Sequence, residues 1–315
     1  MKKNISPVKL YKNPTTTADC NDKESNNLPP GKHEYGTSHN NHTIPQSAVG
    51  FIGCGNMARA IIHALYEKGC TNILASDPDS GQLSKVSGMA ETTASNQKIV
   101  LSCKYIFLCI KPQNAEAILN PLIFPGDAVP ISIMAGLPLK TVMTFTKTKK
   151  AVRVMPNLNA CVKKSYNAFC SMGLTGPEND EITSLLSAFG TTEETPEHLI
   201  NAVTGIAGSG PAYVFRFFKG LLIEAEKHGF SPAAAVKMCG TTIAGSIETL
   251  LQTVFQPSPE NFSEAIKALD EKTDSVCSKG GTTIEGIQVL DENHFTETAS
   301  KAAAKAIKRA EELSN

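Results

Sequence analysis

The stretch AVGFIGCGNMARAIIHALYEKG (Ala48 to Gly69) constrains the fold more than any other. Residues 48–52 form a short continuous apolar run, the pattern of a strand covered on both faces of a parallel sheet. After a glycine-rich turn, Ile61, Ile62 and Leu65 recur at helical spacing. Gly53, Gly55 and Ala58 fit G-x-G-x-x-A. In that pattern the first glycine allows a tight turn, the second lets the backbone approach a pyrophosphate, and the third small residue lets helix and strand pack closely. Asn56 and Met57 open a helix whose free N–H groups and macrodipole favour an anion. Short glycine patterns often mark mere turns, so context decides. A second strand, NILASD (72–77), completes the βαβ unit, and strand-like runs follow at 105–112, 128–136 and 151–157 with helical segments between them. The alternation predicts an α/β domain with a doubly wound parallel sheet, and it makes Gly53, Gly55, Asn56 and Met57 dinucleotide-binding candidates.

The end of the second strand leaves the kind of dinucleotide open. Asp77 at that position would accept from a ribose 2′-hydroxyl and repel a 2′-phosphate, favouring NAD. Ser76 beside it could instead donate to that phosphate, favouring NADP. Because Pro78 follows, Asp77 could equally be a turn residue facing water.

Composition narrows the partners. Thirty basic side chains balance thirty acidic ones, so no net field draws the chain to nucleic acid or an anionic membrane. No apolar run approaches the roughly 18 residues of a spanning helix. The nine cysteines are scattered without a CxxC, and several, such as Cys109 and Cys239, sit inside apolar runs. They read as reduced thiols, and the expected location is cytoplasmic. Residues 1–47 are rich in Asn, Thr, Ser, Pro and Lys, which predicts an uncollapsed tail. Its histidines, His33, His39 and His42, read as solvated polarity rather than a metal site, and its lysine-rich opening is only a weak targeting signal. Residues 48–200 are then the dinucleotide-binding domain and 201–315 a second, helical one.

That second region carries helical patterns over 204–229, from Ser231 to about Gln252, over about 259–272, and from Glu292 to Glu312. Segments such as VFRFFKGLLI are more apolar than a monomer's surface would be, so a helical bundle formed partly between chains is expected. Within it, CSKGGTTIEG (Cys277 to Gly286) interrupts the helical pattern with two adjacent glycines, each costing roughly 1 kcal/mol in a helix interior.

VTGIAGSGPAYVF (203–215) and VCSKGGTTIEGIQVL (276–290) together resemble the C-terminal domain of pyrroline-5-carboxylate reductases. The resemblance extends back through MPN (155–157), LCIKPQ (108–113) and FIGCGNMA (51–58), covering roughly residues 48–312. It implies a Rossmann domain followed by an interlocking dimerisation domain, and hydride transfer to the cyclic imine 1-pyrroline-5-carboxylate, giving proline. The implied cofactor is NADPH, with NADH the alternative to which Asp77 points. On this resemblance Gly280 and Gly281 leave the backbone unobstructed, Thr282 and Thr283 begin a helix, and the N–H groups at 281–283 hold the substrate carboxylate, while Ser278 adds a hydroxyl and the Thr283 hydroxyl partners the ring nitrogen as the catalytic contact. Asn96 would contact the adenosine side of the cofactor, and Lys111 and Pro112 would border the dinucleotide. An imine that arrives protonated requires no strong enzymic acid, which suits a chain whose His198 and His228 lie at or near helix ends.

The chain departs from the family pattern at Lys279, where Pro is usual, at Leu158-Asn159, where MPN is usually followed by Thr-Pro, and at Asn201, where Asp is common. Two other readings compete. A β-hydroxyacid-type dehydrogenase would carry a lysine where Val214 stands, and a dinucleotide-binding paralogue with altered loops would bind without turnover.

Overall fold

The computed structural model describes residues 45, 47–256 and 258–314. The expected tail and its three histidines lie outside the described residues, apart from Pro45 and Ser47.

Eight strands make one sheet: β1 (Val49–Ile52), β2 (Ile73–Ser76), β3 (Glu91–Thr93), β4 (Tyr105–Leu108), β5 (Val129–Ser132), β6 (Ala151–Met155), β7 (Ser165–Met172) and β8 (Gly190–Glu194). Their order is β3-β2-β1-β4-β5-β6-β7-β8. Strands β1, β2, β4, β5 and β6 are buried at every position, as their largely apolar runs require, with Ser76, Ser132 and Arg153 the buried polar exceptions. Both faces are covered. Against one lie α1 (Asn56–Glu67) and, later in the chain, α6 (Gly176–Ser187). Their Ile61, Ile62, Leu65, Ile182 and Leu185 join Phe51 and Phe107, whose rings stack 4.9 Å apart. The other face is packed by α3 (Asn96–Ser102), α4 (Ala115–Leu119) and α5 (Leu139–Thr146), through residues such as Ile99, Leu119 and Val142. The short α2 (Ser80–Ser84) follows β2, and its N-cap Asp79 accepts from Gly81 N.

The sheet is not wholly parallel. Strand β7 runs antiparallel to β6, with Val154 opposite Phe169. A parallel return needs a crossover of a dozen or more residues. Here a single 3₁₀ turn, Leu158–Val162, reverses the chain instead.

Beyond α7 (Ile200–Val203), which straddles the expected boundary at residue 200, the chain is helical: α8 (Gly210–Lys227), α9 (Pro232–Thr249), α10 (Phe262–Val276), α11 (Thr282–Glu292) and α12 (Phe295–Ser314). The expected helix over 204–229 begins with a separate π-helical turn at Thr204–Gly208, where Ser209 N bonds back to Thr204 O. Helix α8 packs on α9, α11 on α12, and α12 returns to the π-turn and α7. That last contact is close, since a Cβ on Gly205 would lie 2.4 Å from Ile307.

Among the described residues past 200, the buried apolar positions are Gly205, Pro211, Ala225, Ala235, Cys239 and Ala310. Large side chains there, including Phe215, Phe230, Phe262, Ile266 and Val276, are exposed on the single chain. Six small buried residues are no core for five helices, so this half must bury its apolar faces against something else.

Candidate active site

The strand order changes direction between β1 and β4, and the crevice beyond the carboxyl ends of these strands is where an open α/β sheet takes its ligand. Gly53 leaves β1 at φ +94°, and a Cβ there would meet Cys109 O at 2.5 Å, so the turn admits only glycine. Gly55 is different. It has an ordinary extended backbone, and nothing lies within 4 Å of where its Cβ would be. It is the N-cap of α1 and makes no side-chain cap, so the amides of the first turn keep room and capacity for an anion. Ala58 is buried against the sheet. Asn56 is exposed at the helix start, where its Oδ1 accepts from Arg59, and Met57 is half-buried. These features fit a dinucleotide pyrophosphate.

At the end of β2 the two alternatives separate. Ser76 is fully buried and its hydroxyl bonds Asn96 Oδ1 at 2.7 Å and Phe51 O at 3.2 Å. The Ser76 hydroxyl faces the interior and orients Asn96, which itself is half-buried at the first turn of α3. Asp77 is half-buried, with Oδ2 accepting from Cys54 N at 2.7 Å and Oδ1 from Asp79 N at 2.9 Å. It joins the second strand to the glycine loop rather than merely facing water. Lys111 and Pro112 are exposed just past β4, where Lys111 caps a 3₁₀ turn.

The end of β6 is tied to the helical half. Asn157 is buried. Its Nδ2 donates to Ala207 O at 3.1 Å, and its Oδ1 accepts from Asn159 N at 3.0 Å. Leu158 beside it is 44 % exposed, so this departure from Thr-Pro disturbs no core. Two residues before Met155, Arg153 is buried with Nη2 on Asn201 Oδ1 at 2.9 Å and Nη1 on Glu197 at 3.5 Å. Burial lowers its pKa, and Glu197 opposes that. Asn201 also accepts from Ser314 at the end of α12. Sequence reasoning marked Asn201 but missed Arg153 and Glu197. An arginine inside the apolar run AVRVM was the available signal.

The second predicted cluster lies between α10 and α11. Gly281 N bonds Ser278 O at 2.9 Å, closing a four-residue turn with Gly280 at φ +69° in its third position. That is the position at which a type II turn requires glycine, and Lys279 occupies the second, which proline favours. Gly281 is the N-cap of α11, and a Cβ on it would lie 2.2 Å from Ser278 Oγ. Thr282 and Thr283 are the first two helical residues, so their amides belong to the uncapped first turn. Ser278, Lys279, Gly280 and Thr282 are exposed on the single chain, and Thr283 is half-buried. The structure thus brings Gly53, Gly55, Asn56, Asp77 and Asn96 around one crevice and builds the 278–283 cradle on a separate element, with α11 packed on α12. His198 and His228 are exposed.

A family model for pyrroline-5-carboxylate reductase dimerisation matches residues 197–313, and one for NADP oxidoreductase, coenzyme F420-dependent, matches 48–136. Pyrroline-5-carboxylate reductase 3 of Bos taurus is 33% identical over 274 residues, covering 84% of this chain and 85% of that protein. The chain belongs to the pyrroline-5-carboxylate reductase family. The Escherichia coli pyrroline-5-carboxylate reductase is 30% identical, with 85% of this chain and 99% of that protein covered. Among solved structures, the Streptococcus pyogenes 1-pyrroline-5-carboxylate reductase superposes with a TM-score of 0.72 at 29% identity, covering 84% of this chain and 98% of that one. The Plasmodium falciparum pyrroline carboxylate reductase, solved with NADP bound, shares the fold with a TM-score of 0.76 at 24% identity, covering 86% and 100%. Membership of this family makes the helical half a dimerisation region. A homo-oligomer accounts for the apolar faces that one chain leaves uncovered. Among the described residues no helix is long and apolar enough to cross a membrane.

Proposed function

We propose that the chain is a reductase that converts 1-pyrroline-5-carboxylate to proline with NADPH, as an oligomer of at least two chains. The observation that carries this reading is the combination, in one family member, of an anion-ready β1–β4 crevice with an uncapped glycine-threonine cradle on the dimerisation half. When bound, NADPH supplies the hydride that reduces the C=N bond.

The chain's own residues then do four things. Gly53 and Gly55 let the loop approach the pyrophosphate, whose charge the first turn of α1 receives. Asn96, held by Ser76, meets the adenosine side, and Lys111 with Pro112 borders the dinucleotide. The first-turn amides of Thr282 and Thr283 hold the substrate carboxylate, with Ser278 beside them, while the Gly281 N–H closes the turn on Ser278 O. The Thr283 hydroxyl meets the ring nitrogen, so the imine carbon faces the hydride in one orientation. The imine enters protonated, so the C=N bond accepts hydride without a strong acid from the protein, and the exposed His198 and His228 are left out. Positioning of this kind lowers a barrier by roughly 7–11 kcal/mol. The cradle is open on its own chain, and we read it as completed in the dimer. We place the chain in the cytoplasm, the reducing setting that scattered cysteines without a CxxC suit.

Purified dimer assayed with pyrroline-5-carboxylate and NADPH tests the reading. Turnover is expected, and Thr283→Ala should lower kcat by about tenfold to a hundredfold, the loss of one hydrogen bond to a charged group, with cofactor affinity unchanged. Cofactor binding without turnover would favour the non-catalytic paralogue. Near-wild-type kcat in Thr283→Ala would leave that threonine as helix geometry only.

A further inference from the structure

The motif VTGIAGSGPAYVF has no task in the mechanism above, yet its backbone is unusual. We infer that its π-turn, Thr204–Gly208, walls the nicotinamide end of the crevice, and that Asn157 is a positioning residue for hydride transfer because its side chain fastens that turn to the end of β6. The inference rests on the reading that a nicotinamide dinucleotide lies along the crevice.

Topology gives the placement. Strands β1 to β6 lie in the order β3-β2-β1-β4-β5-β6, two mononucleotide-binding halves that share one crevice at their carboxyl ends. The glycine loop and Asn96 assign the β1–β3 half to the adenosine side, so the nicotinamide falls to the β4–β6 half. Strand β6 ends at Met155, and Asn157 is the second residue past it. Gly208 reaches the same strand end, since a Cβ on it would lie 3.7 Å from Met155 Sδ. Residues 207–210 are half-buried, and nothing lies within 4 Å of where a Cβ on Gly210 would be, so a flat ring has room to approach this backbone.

A π-turn spaces its hydrogen bonds one residue wider than an α-helix and recurs at functional sites. Its carbonyls need partners from elsewhere. Thr204 O takes Ser209 N at 3.0 Å and Ser209 Oγ at 3.1 Å, and Gly205 O takes the Tyr213 hydroxyl at 3.1 Å. Those donors belong to the helical half itself. The donor to Ala207 O is Asn157 Nδ2, at 3.1 Å, from the dinucleotide-binding half. Asn157 has no freedom to turn away. It is buried, its N–H donates to Ser165 Oγ at 2.9 Å, and its Oδ1 accepts from Asn159 N at 3.0 Å. A carboxamide suits the place because it accepts at one end and donates at the other.

Asn157→Asp keeps the acceptor for Asn159 N and removes the donor to Ala207 O at nearly constant size. A carboxylate facing a carbonyl also destabilises the fold, so Asn157→Ser is the second variant: it is neutral, keeps a cap for Asn159 N and lacks the amide. In both, kcat per folded dimer with pyrroline-5-carboxylate should fall about tenfold to a hundredfold, as a small misplacement of reacting atoms does, while Kd for NADPH stays at the wild-type value. The fluorescence anisotropy of the bound NADPH nicotinamide reads the wall without substrate and should drop in both variants. Wild-type kcat and anisotropy with only a lowered Tm would make Asn157 a structural tether and overturn the proposal. A Kd for NADPH that rises as much as kcat falls would overturn it too, by placing Asn157 among the cofactor's own contacts. A wild type that leaves pyrroline-5-carboxylate unreduced strikes the proposed substrate alone. The anisotropy then decides the role of Asn157, a drop supporting it and an unchanged value overturning it.

Discussion

Adding one methyl group at Gly55 should separate folding from cofactor binding. Its backbone, at φ −66° and ψ −177°, is open to any residue, and nothing lies within 4 Å of the new Cβ. The structural effect is then that of exchanging glycine for alanine at an N-cap, about 0.5–1 kcal/mol. In a chain of this size that lowers Tm by a few degrees, since 1 kcal/mol corresponds to roughly 2–4 °C in domains of 150–250 residues. The space filled is the space a pyrophosphate would use. Pushing the phosphates off the loop removes one or two charge-assisted hydrogen bonds at roughly 1.5–3 kcal/mol each, so Kd for NADPH should rise at least tenfold. Gly53→Ala should behave in the opposite order, because φ +94° and the 2.5 Å approach to Cys109 O strain the fold itself. Calorimetric NADPH titration and thermal unfolding on both variants provide the comparison. A Gly55→Ala protein with wild-type NADPH affinity would refute the placement of the cofactor on this loop.

Two further outcomes concern what holds the site in place. Asn201→Asp should stabilise the chain by about 1 kcal/mol, the difference between a neutral and a charge-assisted bond to buried Arg153, and a lowered Tm would count against it. At Glu178 burial alone would raise the carboxyl, but the Lys150 ammonium at 2.7 Å and the Thr175 N–H and hydroxyl outweigh it and hold the pKa at about 2, down from 4.5. A depressed carboxylate stabilises above its unfolded pKa and loses that contribution as pH falls from about 4.5 toward 2, here roughly 2–3 kcal/mol. Glu178→Gln should therefore flatten the fall in stability over that window, and an unchanged acid profile in urea titrations would contradict the assignment.

What the sequence made legible was local. The β1–turn–α1 unit shows because strand, glycine spacing and helical period follow one another without interruption, and the Gly280-Gly281 turn shows because two glycines break a helical pattern. What it hid depends on residues far apart in the chain. The inward turn of the Ser76 hydroxyl is set by Phe51 and Asn96, which the sequence, leaving Ser76 and Asp77 as open alternatives, did not show. Arg153 finds Glu197 and Asn201 more than forty residues on, where no periodicity signals the meeting. The reversal into β7 follows from a 3₁₀ turn that resembles any short loop in sequence. The apolar excess of the helices was visible, but only the structure shows that their large side chains lack a core within one chain.

Direct transfer between the two halves of the site can be followed with NADPH carrying deuterium at both C4 positions of the dihydronicotinamide. The account predicts proline with one deuterium at C5, the former imine carbon, and none acquired there from solvent. Proline formed without that deuterium, or a folded dimer that binds NADPH and pyrroline-5-carboxylate yet transfers nothing, would contradict it.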